Sequence, residues 1–378
     1  MNKKKIFVIG YNVFCEQMYP HLFEFLNLIG NDFDLVYYGK DDRGFLSYYK
    51  TEKTIGLPFL KKIKFIKNCD LKINTIKSEI KKILESKIFD IIIVIDHSAI
   101  NYISETIGTK GKTKLFFWSH DILTNDHPLY VESKHIREII NNNKKNIQNF
   151  DLIIIQDHAR AAVLDSVLNT HNIKKFYFPV SLNTDNTSIN IAFDKSKRDF
   201  FETINLLQIG FISNERFSDD ILDEYLKAKD NINLTFLGRI SDELSEMIEK
   251  ASKKVFYHEV QSSFIEMRKI ISNSDIGIIG NRPKTLNNHF YSKSCGQMVE
   301  YLRCGIPVII VGNEELGEFV ENENCGVFIQ NINELTNAIN KIKQKYPSFS
   351  KKSHDTFSKF FNLSNHFLYF RDFIKNQN

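Results

Sequence analysis

Ser292-Lys-Ser294-Cys-Gly296-Gln-Met-Val-Glu300-Tyr-Leu-Arg-Cys-Gly305-Ile-Pro307-Val-Ile-Ile310 reads as loop, helix, tight turn and buried strand. Ser294 and Gly296 stand where the helix begins, so its first backbone N–H groups point at whatever lies in front, and an anion is the natural guest. Gln297, Glu300 and Cys304 share one helical face, expected to look into a cleft. Met298, Val299 and Leu302 share the other, expected to pack on a sheet. Gly305 ends the helix, Pro307 blocks its continuation, and Val308–Val311 is a strand buried on both faces.

Outward from this segment, strands and helices alternate along the chain. Ile6–Ile9, Asp34–Tyr38, Phe89–Ile95, Lys114–Trp118, Asp151–Ile155 and Lys175–Phe178 form a first set of strands, with an amphipathic helix expected from about Glu16 to Leu28. A second set follows: Asn205–Ile209, Asn233–Leu237, Lys254–Tyr257, Ile276–Ile279, Pro307–Val311 and Gly326–Ile329. Continuous Val/Ile runs separated by helices indicate parallel sheets covered on both faces. The polar stretch Ser181–Ser196 between the sets reads as an interdomain linker. A chain of 378 residues is too long for one ordinary core and suits two domains.

The Glu300 segment resembles the nucleotide-binding segment of glycosyltransferases with two Rossmann-like domains, the GT-B fold, and most of all glycosyltransferase family 4. Asn205-Leu-Leu-Gln-Ile-Gly210, Leu234-Thr-Phe-Leu-Gly238 and Asn273-Ser-Asp-Ile-Gly-Ile-Ile279 are similar to other pieces of that family in order and spacing. The first half resembles it more loosely, through strand order and Phe117-Trp-Ser-His120-Asp121. The resemblance implies an α/β fold of two Rossmann-like domains facing across a cleft. It divides the chain into an acceptor domain (1–182), a linker (183–203), a nucleotide-sugar domain (204–348) and a C-terminal helix (349–378) returning to the first domain. It also implies transfer of a sugar, with retention, from a UDP- or GDP-sugar to a glycan or lipid-linked acceptor in bacterial surface polysaccharide synthesis.

Site residues follow from the matched positions. Glu300 corresponds to the family's ribose-binding carboxylate, and Ser294 and Gly296 to the helix start facing the diphosphate. Gly210 corresponds to the glycine closing the opening strand. The family often follows that glycine with an Arg and then a Lys; here Phe211 and Glu215 stand in those places. Arg216 and Arg239 are the first replacements, with Arg282 and Lys293 as others. Ser292 stands where many members carry a second Glu, which leaves the stereochemistry open. His120, at the carboxyl end of a strand, is the catalytic candidate, with a simple capping role beside it. His97 and Asp121 are acceptor-side candidates, and His97 reads equally well as a satisfied polar residue at a strand end. Asp157 reads as a helix N-cap. An inverting reaction would instead draw a base from Asp96, His97, Asp121 or Asp126. A nucleotide-sugar 2-epimerase and a non-catalytic homologue remain alternative readings.

No Asp-x-Asp motif is present, and no essential metal or other cofactor is expected. Five cysteines, odd in number and without C-x-x-C spacing, argue for reduced thiols in the cytoplasm. A net charge of +4 does not suggest a nucleic-acid partner. No run approaches the ~20 apolar residues of a membrane helix, and the apolar stretch after Met1 is only a strand long. Lys50–Lys87 carries eleven Lys against four acids; it reads as a peripheral contact with anionic membrane or as a solvated Lys-rich face. Phe357, Phe360, Phe361, Phe367, Phe370 and Phe373 are spaced as helix packing residues.

Overall fold

In the computed structural model, residues 3–10, 20–40, 64–66, 73–103, 111–126, 128–198, 202–228, 231–251, 254–259, 264–282 and 285–377 are described. Residues 11, 12, 15–19, 50–63 and 67–72 lie outside these, and with them Cys15, Cys69, the start of the expected first helix and most of the basic stretch.

The chain forms two compact units. The first comprises Met1–Pro179, Thr285–Asn287 and Leu363–Asn378; the second comprises Val180–Lys284 and Asn288–Asn362. In the first unit the strands are β1 (Lys5–Gly10), β2 (Asp34–Lys40), β3 (Lys64–Ile66), β4 (Ile91–Ile95), β5 (Lys114–Trp118), β6 (Leu152–Ile155) and β7 (Lys175–Tyr177). They pair in the order β3-β2-β1-β4-β5-β6-β7, all parallel. All five residues of β4 are buried, as an unbroken Ile/Val run between two helical layers must be. The strand order reverses between β1 and β4, and a doubly wound sheet places its ligands at the carboxyl ends beside that reversal.

The second unit repeats the plan. Its strands are β8 (Ile204–Ile212), β9 (Ile232–Ile240), β10 (Val255–His258), β11 (Ile276–Gly280), β12 (Val308–Val311) and β13 (Gly326–Ile329). The order is β10-β9-β8-β11-β12-β13, again all parallel, with the reversal between β8 and β11. Gly210 and Gly238 stand opposite each other in register near the carboxyl ends of β8 and β9. Gly238 has φ +150, and a Cβ added there would lie 1.8 Å from the Gly210 carbonyl oxygen. Only glycine fits that contact. Gly238→Ala is therefore expected to cost at least about 3 kcal/mol, read as a fall in the denaturant midpoint; an unchanged midpoint would contradict this packing.

The polar segment expected as linker differs from that reading. It holds a helix, Asn186–Lys195, whose N-cap Asp185 forms a reciprocal capping box with Ser188. This helix buries only Ser188, Ala192 and Lys195, with Ala192 against the Gly305 turn. So narrow a stripe of small and polar residues leaves no hydrophobic period to read. The C-terminal segment is two helices rather than one, Tyr346–Phe360 and Leu363–Lys375. Phe357 and Phe361 sit in a core cluster of the second unit. Phe370 packs in the first unit against Phe25, Phe176 and Phe178 at centroid distances of 5.4, 5.3 and 5.9 Å. The described end of the basic stretch is the helix Ile73–Ser86, with Ile76, Ile80 and Ile83 buried and Lys81 and Lys82 in solvent. Among the described residues no helix is long and apolar enough to cross a membrane.

Candidate functional site

In the first unit the carboxyl ends of β4 and β5 bring three histidines into play. Asp96 follows β4 directly and opens the helix Asp96–Ile103 in the left-handed region, at φ 61, a conformation that Asp tolerates better than most residues. Its buried carboxylate accepts the backbone N–H of His120 through Oδ1 at 2.8 Å and that of Asp121 at 3.3 Å. Asp96 thus fixes the turn that presents His120. The His120 ring packs 4.8 Å from that of Trp118. His120 Nδ1 lies 3.0 Å from Nε2 of His21, on the helix Pro20–Asp32. One nitrogen of the pair must carry the proton for this bond to form, which fixes the tautomers relative to each other.

Arg160 is fully buried beneath this turn. It donates to Gln156 Oε1 at 2.7 Å, to the His120 carbonyl at 2.7 Å and to Asn287 Oδ1 at 3.0 Å. Burial, aided by the Arg160 charge, pushes the His120 pKa down to about 3. Burial also lowers His97 to about 4, against the raising effects of the Asp121 charge and backbone. Burial and His120 lower His21, against the pull of Asp121. All three rings are therefore neutral at physiological pH and can donate or accept a hydrogen bond without carrying charge. His97 Nε2 faces the Leu123 N–H at 3.4 Å, and its carbonyl accepts from Asn143 at 2.8 Å. Asp121 is exposed. Asp126 accepts the Leu286 N–H at 3.0 Å. Asp157 caps its helix through the Arg160 N–H at 2.8 Å, as its position suggested.

His21 and Arg160 carried signals that the sequence reading passed over. His21 precedes Phe25 by four on an apolar face, and Arg160 shares a face with Leu164 and Leu168. A polar side chain in a core stripe is more informative than another apolar one.

In the second unit the helix Gly296–Arg303 starts at Cys295, whose Sγ accepts the Met298 N–H at 3.4 Å. Gly296 meets open space: a Cβ there would find nothing within 4 Å. The Ser294 hydroxyl turns back to the Tyr291 carbonyl at 3.2 Å. Gly210, at φ +106, lies close under Gln297, whose amide donates to the Ile209 carbonyl.

Arg216 sits on the loop Ser213–Phe217. Gln208 Nε2 donates to the Arg216 carbonyl at 2.8 Å. Gly280 allows this close approach, since a Cβ there would lie 2.1 Å from the same carbonyl oxygen. The Arg216 guanidinium lies 5.9 Å from the Tyr291 ring centroid, and its Nη1 is buried without a hydrogen-bond partner. Burial raises the Cys295 thiol to about 11, while the helix N–H groups, Tyr291 and the Arg216 charge oppose that rise. Arg216 is thus felt at the helix start, with a donor still unspent.

The other cations are placed elsewhere. Arg239 is exposed. Arg282 pairs with Asp220 and lies 4.3 Å from the Phe217 ring centroid. Lys293 is enclosed by Phe319, Phe360 and Phe361 at 4.1, 3.8 and 5.4 Å; the aromatic faces hold it there as cation–π partners. Ser292 is spoken for by Glu315, which accepts its N–H at 2.9 Å and its hydroxyl at 2.5 Å.

Glu300 is buried, and its Oε2 accepts from Arg303 Nη2, while Oε1 has no hydrogen-bond partner. Cys304, expected on the cleft face, lies in the core cluster instead; the helix ends at Arg303 and the C-cap residue turns inward. Among the described residues no group of three His, Cys, Asp or Glu side chains is placed to hold a metal.

Two parallel, doubly wound units in one chain, with the last helix counted in the first unit, define the GT-B fold. Residues 226–362, which include the Glu300 helix, match the family described as Glucosyltransferase 3-like, C-terminal domain. Anabaena HepE in complex with UDP-glucose is similar in structure, with a TM-score of 0.70 and 13% identity over 99% of this chain and 100% of that one. Sucrose-phosphate synthase from Thermosynechococcus elongatus superposes with a TM-score of 0.72 at 12% identity, over 99% and 98% of the two chains. The lipopolysaccharide outer core galactosyltransferase WaaB has a TM-score of 0.59 at 15% identity, over 98% and 99%. No curated protein matches the chain by sequence.

Proposed function

We propose that the protein is a glycosyltransferase that moves a sugar from a nucleoside diphosphate sugar to a glycan or glycolipid acceptor. The observation that carries this reading is the start of the helix Gly296–Arg303. The chain leaves space at Gly296, and Arg216, whose charge is felt at Cys295, keeps an unspent donor; a helix start and a guanidinium both suit the oxygens of a diphosphate. Glu300, one turn in, has a free acceptor for ribose hydroxyls. A UDP-sugar is the favoured donor, since UDP-glucose is bound by the similar HepE structure.

In transfer, positive charge at the helix start and on Arg216 stabilises the diphosphate as it leaves. The reading therefore includes no essential metal. His120, neutral and held by Asp96, Arg160 and His21, acts as a hydrogen-bonding group in the transfer step. The acceptor is placed in bacterial surface polysaccharide synthesis, in keeping with the fold shared with WaaB. The proposal includes retention of configuration, with no acid of the chain assigned as base. The protein would work in the cytoplasm, with the basic stretch 50–87 touching the inner face of the membrane.

The test is a panel of UDP-, GDP-, CMP- and dTDP-sugars with candidate acceptors, following free nucleotide and glycan length. Free nucleotide with a longer glycan supports the reading; an epimerised donor, or no turnover with any donor, contradicts it. Glu300→Gln is expected to weaken nucleoside diphosphate binding by about 1–3 kcal/mol, measured by calorimetry. Unchanged affinity would remove the ribose contact from the account.

A further inference from the structure

We propose that Arg303 is a positioning residue for nucleotide recognition: it holds Glu300 by one carboxylate oxygen and leaves the other as the sole acceptor for the ribose hydroxyls. This rests on the nucleotide reading of the Glu300 helix and assigns that site a residue beyond it.

The two residues are three apart on one helix, the spacing at which side chains meet. Arg303 is fully buried, and its Nη2 donates to Glu300 Oε2. On its other side Arg303 Nη1 lies 3.9 Å from Asp185 Oδ2, and Arg268 Nη1 reaches the same oxygen at 3.0 Å. The His354 ring nitrogen Nδ1 lies 3.1 Å from the Arg303 carbonyl. Two carboxylates and two guanidinium groups thus form a charge-balanced row, Glu300–Arg303–Asp185–Arg268, buried at the Glu300–Arg303 end and half-buried at the other. Asp185 is fixed in turn as the cap of the helix Asn186–Lys195. Burial alone would raise its carboxyl, yet Arg268, the Ser188 N–H and hydroxyl, and Arg303 bring it below the ordinary range.

Burial and the Asp185 charge behind it hold the guanidinium in place, and Glu300 is held against it. The carboxylate is left with Oε1, buried and unpartnered. A buried acceptor without a donor is costly, and a ligand hydroxyl that satisfies it gains accordingly. Recognition of the ribose then depends on a single oxygen whose place is set from behind. Loss of Arg303 would leave Glu300 free to turn and its charge uncompensated.

The experiment compares UDP with 2′,3′-dideoxy-UDP by calorimetry on the full chain. The wild type is expected to prefer UDP by about tenfold or more. In Arg303→Met that preference is expected to fall to within about twofold, and adding Glu300→Gln to it should cost nothing further, since both changes remove one contact. Arg303→Lys keeps the charge without the fork and should recover part of the preference. If Arg303→Met does not fold, Arg303→Lys alone decides, with a preference below wild type expected. An Arg303 variant that keeps the full wild-type preference overturns the proposal and leaves the nucleotide reading standing. A wild type that binds UDP without preferring it to the dideoxy form, or binds neither, overturns the ribose contact and the proposal together.

Discussion

His120→Ala is expected to lower the transfer rate by about 10²–10⁴-fold while nucleotide affinity stays near that of the wild type. The separation follows from placement. The groups assigned to the nucleotide, Arg216, Gly296 and Glu300, all belong to the second unit, and His120 belongs to the first. The His120 ring is held by Trp118 at 4.8 Å and His21 at 3.0 Å, so truncation also removes packing. His120→Asn keeps a donor and an acceptor in a smaller side chain and separates the two effects. A folded His120→Ala chain with wild-type turnover would remove the residue from the chemistry. Loss of folding in both variants would reduce it to a satisfied polar group of the core.

A second large effect is expected from pH. In the unfolded chain a histidine titrates near 6.5, whereas in the folded chain His97 titrates near 4. Between these values the unfolded state takes a proton that the native state refuses, so stability is full above pH 6.5 and falls as pH drops. One such histidine costs about 1.4 kcal/mol per pH unit, or about 2 kcal/mol by pH 5. His120 and His21 shift in the same direction and add to the loss. Asp185, lowered from 3.8, acts in a more acid range. Denaturant midpoints at pH 7.5 and pH 5 are expected to differ by several kcal/mol of stability, with a smaller gap in His97→Asn. Equal midpoints at the two pH values would show that the histidines are not held neutral in the fold.

The sheets were legible because Ile91–Ile95 and Val308–Val311 are unbroken apolar runs, a pattern that parallel strands share with little else of that length. β3 was not legible, since Lys64–Ile66 is three residues long and mixes a cation with apolar side chains. The helix Asn186–Lys195 escaped because its buried face is Ser, Ala and Lys. At the site, Glu300, Gly296 and His120 were visible through their positions relative to a helix start and a strand end. Their partners were not: His21 lies ninety-nine residues from His120 in sequence, and no pattern of the sequence marks Arg303 as buried. Lys293 shows the reverse case, a cation of the right type and place in sequence that three phenylalanine rings hold instead.

The most direct test of the central claim is calorimetric titration of the full chain with UDP in the presence of a chelator, for the wild type and for Arg216→Ala. The account predicts saturable binding of one nucleotide per chain without magnesium, weakened in Arg216→Ala and by added salt. Absence of binding by UDP and by GDP, CMP and dTDP alike, or affinity indifferent to Arg216, would contradict it.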